Sequence, residues 1–122
     1  MIPLVIIDAA NVVGSVPDGW WKDRHGATER LRDTLATLPT TGVGTLEPPL
    51  DVVMVVEGRA RNVTASDTIR VVSAPGSGDD AIVDLVRAAP DRTCVVVTAD
   101  RGLRARVTDL GASVLGPSSV RQ

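Results

Sequence analysis

The chain has 122 residues and a formal charge of −2 at neutral pH, with an isoelectric point near 5.2. That length is one ordinary domain, able to bury roughly two-thirds of its unfolded surface without a disulfide or structural metal. The acidic balance excludes a protein that grips nucleic acid mainly through a broad basic surface, though not an enzyme whose carboxylates are screened by metal ions. Val, Leu, Ile and Ala supply nearly all the apolar content; Phe and Tyr are absent, and Trp20 and Trp21 are the only aromatics. Packing among β-branched side chains suits buried parallel strands.

The opening Met-Ile-Pro-Leu-Val-Ile-Ile-Asp has no basic leader, and its apolar run is too short for a signal peptide or a membrane span. The expectation is a cytoplasmic protein with no membrane association. Leu4 to Ile7 reads as a fully buried strand that stops at Asp8. Leu31, Leu35 and Leu38 recur at helical spacing, with Pro39 expected to stop that helix. Residues 37–49, rich in Thr, Gly and Pro, read as a mobile surface loop.

Further strands are expected at Val52 to Val56, Ile69 to Val72 and Cys94 to Val97, with a weaker one at Ala112 to Leu115. Gly58 to Thr68 is short for a helical crossover, so it holds either one brief helical turn or leads into an antiparallel strand. Ile82, Leu85, Val86 and Ala89 form a second helical stripe, stopped by Pro90. Leu103, Val107 and Leu110 form a third, with Gly111 as its C′ residue. Cys94, the single cysteine, is expected to be a buried small hydrophobe. Strands alternating with helices predict one α/β domain over 1–122 with a mostly parallel sheet.

In such sheets ligands bind beyond the carboxyl ends of the strands. Asp8 ends the first strand, Asp100 follows the fourth, and Asp79 and Asp80 begin a helix after the third, so all four fall on one rim. Neighbouring strands are only about 4.8 Å apart, and carboxylates that close repel unless a cation lies between them. Mg²⁺ or Mn²⁺ fits, because both prefer oxygen ligands. Each acid also has a structural role open to it. Asp100 can cap the helix that starts at Arg101, Ser77 with Asp80 matches a capping box, and Asp8 can bond the following turn. Capping alone does not explain why acids mark the same end of successive strands. Asn11 can orient a phosphate or hold a tight turn, and Thr98 can support a ligand from behind. Glu57 and Asp84 are further candidates, Asp84 more simply an exposed helix charge. Trp20, Trp21, Lys22 and Arg24 can stack a base and meet a phosphate, or cover the mouth of the sheet. His25, the only histidine, can protonate a leaving group, but a loop histidine is more often plain surface.

Val-Ile-Ile-Asp8-Ala-Ala-Asn11, Gly-Asp79-Asp80-Ala-Ile82 and Val-Val-Thr98-Ala-Asp100-Arg101 resemble the three signature blocks of the NYN/PIN-like nucleases, nearest to the YacP-like NYN proteins of bacteria. The order and spacing of the blocks span nearly the whole chain. The resemblance implies a three-layer PIN-like Rossmannoid fold, about five strands in the order 3-2-1-4-5 flanked by helices. It also implies cleavage of RNA with Mg²⁺ or Mn²⁺, with Asp8, Asp79 and Asp100 as metal-binding acids and Asn11 as their polar partner. Asp80 is an additional metal candidate, and Trp20, Trp21, Lys22, Arg24, Thr98 and Arg101 are expected to bind substrate. Many PIN relatives carry a further acid in the middle region. Glu57, Asp80 and Asp84 compete for that place, and a homodimer is left open.

A haloacid-dehalogenase-type phosphatase would want a second acid two residues after Asp8, where Ala10 stands. A dinucleotide-binding domain would want Gly-x-Gly-x-x-Gly after the first strand, which is missing. The alternative that survives is a non-catalytic nucleic-acid or protein-binding module on the same fold.

Overall fold

The computed structural model describes residues 1–121. Five strands, β1 (Leu4–Asp8), β2 (Asp51–Val56), β3 (Ile69–Ser73), β4 (Cys94–Val97) and β5 (Ser113–Leu115), form one sheet in the order β3-β2-β1-β4-β5. Every pairing is parallel. This settles the direction of β3. The connection of residues 57–68 returns to the start of the sheet through one 3₁₀ turn, Gly58–Ala60, and β3 runs parallel to β2.

Alternation along the strands divides the core into two layers. Val5, Ile7, Val52, Met54 and Val56 face α1 (Ala9–Gly14) and α2 (Arg24–Thr34). Leu4, Ile6, Val53, Val55 and Val96 face α4 (Gly78–Arg87) and α5 (Arg101–Thr108). Helices cover both faces, so the central strands can be apolar throughout. No helix among the described residues is long and apolar enough to cross a membrane.

Three local expectations need correcting. The Leu31–Leu35–Leu38 stripe is not one helix: α2 ends at Thr34 with Leu35 as its C-cap, and Pro39 lies in the first turn of α3 (Leu38–Thr41). Proline has no N–H to lose there, so it starts a helix where it was expected to stop one. The segment 37–49 is not simply a surface loop, because it contains α3 and buries Val43, whose backbone pairs with Leu46. The third stripe outruns its helix by two residues: α5 ends at Thr108, which leaves Leu110 exposed, while Gly111 takes the left-handed conformation expected of it (φ 92°).

Candidate active site

The strand order reverses at β1, so the chain leaves β1 and β4 toward opposite faces and opens a crevice at their carboxyl ends. Asp8 is both the last residue of β1 and the N-cap of α1, with no loop between. One carboxylate oxygen accepts the Asn11 N–H at 3.4 Å, and the other accepts the Thr98 hydroxyl at 2.8 Å. The Thr98 oxygen in turn accepts the Asp100 N–H at 3.1 Å. Asp100 caps α5 through the Leu103 N–H at 2.9 Å. The Asn11 side-chain oxygen accepts the Ala99 N–H at 2.8 Å. These bonds join the end of β1 to the end of β4.

A third carboxylate comes from β2. Glu57 follows that strand directly and accepts the Gly78 N–H at 3.2 Å. A Cβ at Gly78 would stand 2.6 Å from Glu57 Oε1, so the close approach depends on glycine. Asp79 is the next residue of α4. Asp8, Glu57, Asp79 and Asp100 therefore line one open depression of about 270 Å³, together with Ala10 and Asn11. Of the competitors for the fourth acid, the structure brings Glu57 to the cluster.

Burial pushes the Asp8 carboxyl up to about 6, against the lowering effect of its bonds to Thr98 and Asn11; the charges of Asp79 and Glu57 add to the rise. Only 4 % of Asp8 is exposed, so little solvent reaches its charge. Asp79 is also raised, first by burial, then by Asp100 and Glu57, with Arg106 working the other way. Among the described residues no three His, Cys, Asp or Glu side chains stand close enough to hold one ion by themselves. A hard divalent ion of the magnesium kind does not require three. It keeps several waters and takes one or two carboxylates, with substrate phosphate completing its shell. Crowded oxygen-only donors open to solvent suit such an ion.

Not every expected residue joins this arrangement. Thr98 is fully buried and cannot touch a substrate, so its expected binding role is corrected to positioning Asp8 and the Asp100 backbone. Asp80 turns away: Ser77 caps its N–H, its exposed carboxylate pairs with Arg106 at 3.0 Å, and it lines a different depression with Pro75 and Asp84. Asp84 pairs with Arg87, and His25 with Glu29, both as partly exposed helix pairs. Trp20 is partly buried against the α1–α2 side of the core, whereas Trp21 is 52 % exposed. Arg24 lies over the Trp20 ring at 5.2 Å, while Lys22 and Arg101 are exposed. Two supporting residues escaped the sequence reading. Arg104 donates to the Thr98 carbonyl at 2.8 Å, and Arg106 restrains Asp80. The signal for Arg104 was its position one turn after Asp100, since helical side chains lean back toward the N-terminus.

An all-parallel 3-2-1-4-5 sheet between two helical layers is the PIN-like Rossmannoid class of fold. Its particular form here is YacP-like. The chain superposes on the crystal structure of Rae1 (YacP) from Bacillus subtilis with a TM-score of 0.79 and 15 % identity, covering 98 % of this chain and 71 % of that one. A mutant of the same protein gives a TM-score of 0.78 and 16 % identity, covering 98 % and 72 %. Identity this low carries the fold alone. No family model and no curated protein matches the sequence.

Proposed function

We propose that this chain is a divalent-metal-dependent nuclease that hydrolyses RNA phosphodiester bonds at the Asp8–Glu57–Asp79–Asp100 rim. One observation carries the proposal. Four carboxylates from separate segments share one depression, and the most buried of them, Asp8, has only a hydroxyl and a backbone N–H as donors. A cluster of that kind is destabilising for the protein alone and becomes favourable once a cation enters.

One or two of Asp8, Asp79 and Asp100 would bind Mg²⁺ or Mn²⁺ directly and the others, with Glu57 as the fourth acid, through its retained waters. When bound, such an ion supplies positive charge to the scissile phosphate and eases deprotonation of the attacking water. Thr98 keeps the Asp8 oxygens aimed at the rim. Asn11 ties down the loop that carries Asp100, leaving its amide nitrogen for a phosphate oxygen. Arg24 lines the cavity that shares Glu57 with the rim and Arg101 follows Asp100 in the chain; both form no salt bridge among the described residues and would serve as cations for neighbouring phosphates.

The test is cleavage of a single-stranded RNA with Mn²⁺ or Mg²⁺, against EDTA and against purified Asp8→Asn protein. Cleavage that requires the ion and vanishes in the variant supports the proposal, and cleavage at the wild-type rate by the variant refutes the site. The non-catalytic alternative draws on Asp100, whose Oδ1 is already engaged in capping α5. It predicts RNA or protein binding with no metal-dependent cutting.

A further inference from the structure

A second cavity, of about 210 Å³, adjoins the acidic depression, and the two share Ala10 and Glu57 in their walls. The remaining wall is a different chemistry: Val13 and Ala60 are apolar, Trp20 supplies an indole, and Arg24 a planar cation. We propose that this cavity receives one unpaired nucleobase of a single-stranded RNA, beside the phosphate held at the acids. The proposal rests on the nuclease function above and narrows its substrate to RNA that is unpaired at that nucleotide.

The cavity is smaller than the roughly 300–1,000 Å³ of sites for drug-sized ligands, so it fits one ring system. The indole is fixed rather than free. Its inner side packs on the core and the Trp21 ring meets it edge-on, with centroids 5.8 Å apart and planes at 86°. The Arg24 guanidinium lies 5.2 Å from the Trp20 ring centre. With the guanidinium lying over the held indole, the planar cation and the part of the ring that lines the cavity form a stacking platform that any base can use, and the cation would also meet the adjoining phosphate. Because the cavity and the acidic depression share Ala10 and Glu57 as walls, one nucleotide can place its base in the first and its phosphate at the second. A paired base cannot enter, since in an A-form duplex it is held within the stack.

A Trp21→Phe protein leaves Trp20 as the only tryptophan, so its emission reports on the cavity. In EDTA it is titrated with short single-stranded oligoadenylate, with an abasic oligomer of the same length, and with duplex RNA. Oligoadenylate should change the Trp20 emission and bind about 5- to 150-fold more tightly than either comparison strand, the range expected for one stacked base. An equal response to the abasic strand overturns the proposal, because charge alone would then explain binding. With Mn²⁺, a series of RNAs carrying one abasic nucleotide at successive positions should show cutting suppressed at one fixed offset from that nucleotide. The offset should disappear in Trp20→Leu and in the exposed-site variant Arg24→Gln. Uniform cutting overturns the subsite while upholding the nuclease. Base-dependent emission without any cutting overturns the nuclease and retains the subsite as a binding site.

Discussion

Replacing Asp8 by Asn should make the metal-free protein more stable, although it removes the central acid. A carboxyl held at about 6 instead of its ordinary 3.8 opposes folding by about 3 kcal/mol once ionised at pH 7. The sign follows from the direction of the shift. Below about pH 4 the carboxyl is protonated in both states and the penalty is absent; it grows as pH rises toward 6 and is full above that. Asparagine removes the charge and still accepts the Thr98 hydroxyl with its amide oxygen. What it gives up is the long 3.4 Å contact with the Asn11 N–H, worth under about 1 kcal/mol. The net gain is therefore about 2 kcal/mol at pH 7. With an unfolding entropy of about 2.1 cal/mol/K per residue, that corresponds to roughly 8 °C in Tm. Thermal unfolding of both proteins in EDTA, at pH 7 and at pH 4, measures it. The variant should melt higher at pH 7 and the difference should close at pH 4. Adding Mn²⁺ should then raise the wild-type Tm and leave the variant where it was. A variant less stable at pH 7, or a difference independent of pH, refutes the assignment of Asp8 as a buried, electrostatically unfavourable acid.

Thr98→Val removes both the donor to Asp8 and the acceptor of the Asp100 N–H; urea titration at pH 7 should show a loss of about 1–3 kcal/mol, with Thr98→Ser close to wild type. Gly78→Ala sets a methyl 2.6 Å from Glu57 Oε1. Because the side chain can swing aside, Tm should change by only a few degrees while RNA cleavage falls about tenfold or more. Asp51 is the opposite case to Asp8. Burial raises its carboxyl, but Arg70 and Arg92 outweigh that and leave it below its ordinary value. Its contribution is present above the unfolded value and is lost as pH falls through the folded one. Asp51→Asn should lower stability by up to about 1 kcal/mol at pH 7, by nothing in strong acid, and leave cleavage unchanged, because Asp51 lies at the amino ends of the strands.

The strands were legible because short apolar runs bounded by polar residues leave few other interpretations. Helix ends were not, since periodicity records which face is buried and not where the backbone turns. Leu35 stays fully buried as a cap after its helix has ended, and Leu110 keeps the spacing of its stripe after leaving the helix. The positions of Asp8 and Asp100 followed from strand ends alone. The choice among the other acids did not. Adjacent helical residues point about 100° apart, so of Asp79 and Asp80 only one can face the rim, and sequence does not say which. Glu57 required knowing that β2 lies beside β1. Thr98 was read both as support behind a ligand and as a substrate contact, and only the first holds, because a residue just past a strand can turn either inward or outward.

The strands themselves are nearly interchangeable. Leu-Val-Ile-Ile, Val-Val-Met-Val-Val and Cys-Val-Val-Val present similar volumes to both faces, so side-chain shape barely distinguishes β2 from β4 as a neighbour of β1, or one register from the next. The distinction is made at the two ends of the central strands. At the amino end Arg92, just before β4, donates to the Ile2 carbonyl and to Asp51. At the carboxyl end, Thr98 finds Asp8 and Ala99 finds Asn11. These polar contacts act as address labels for an otherwise uniform set of strands. Weakening them should favour mispaired folding intermediates and aggregation even where the finished fold tolerates the change. The rim proposed to handle a substrate thus also sorts the strands of the sheet that carries it.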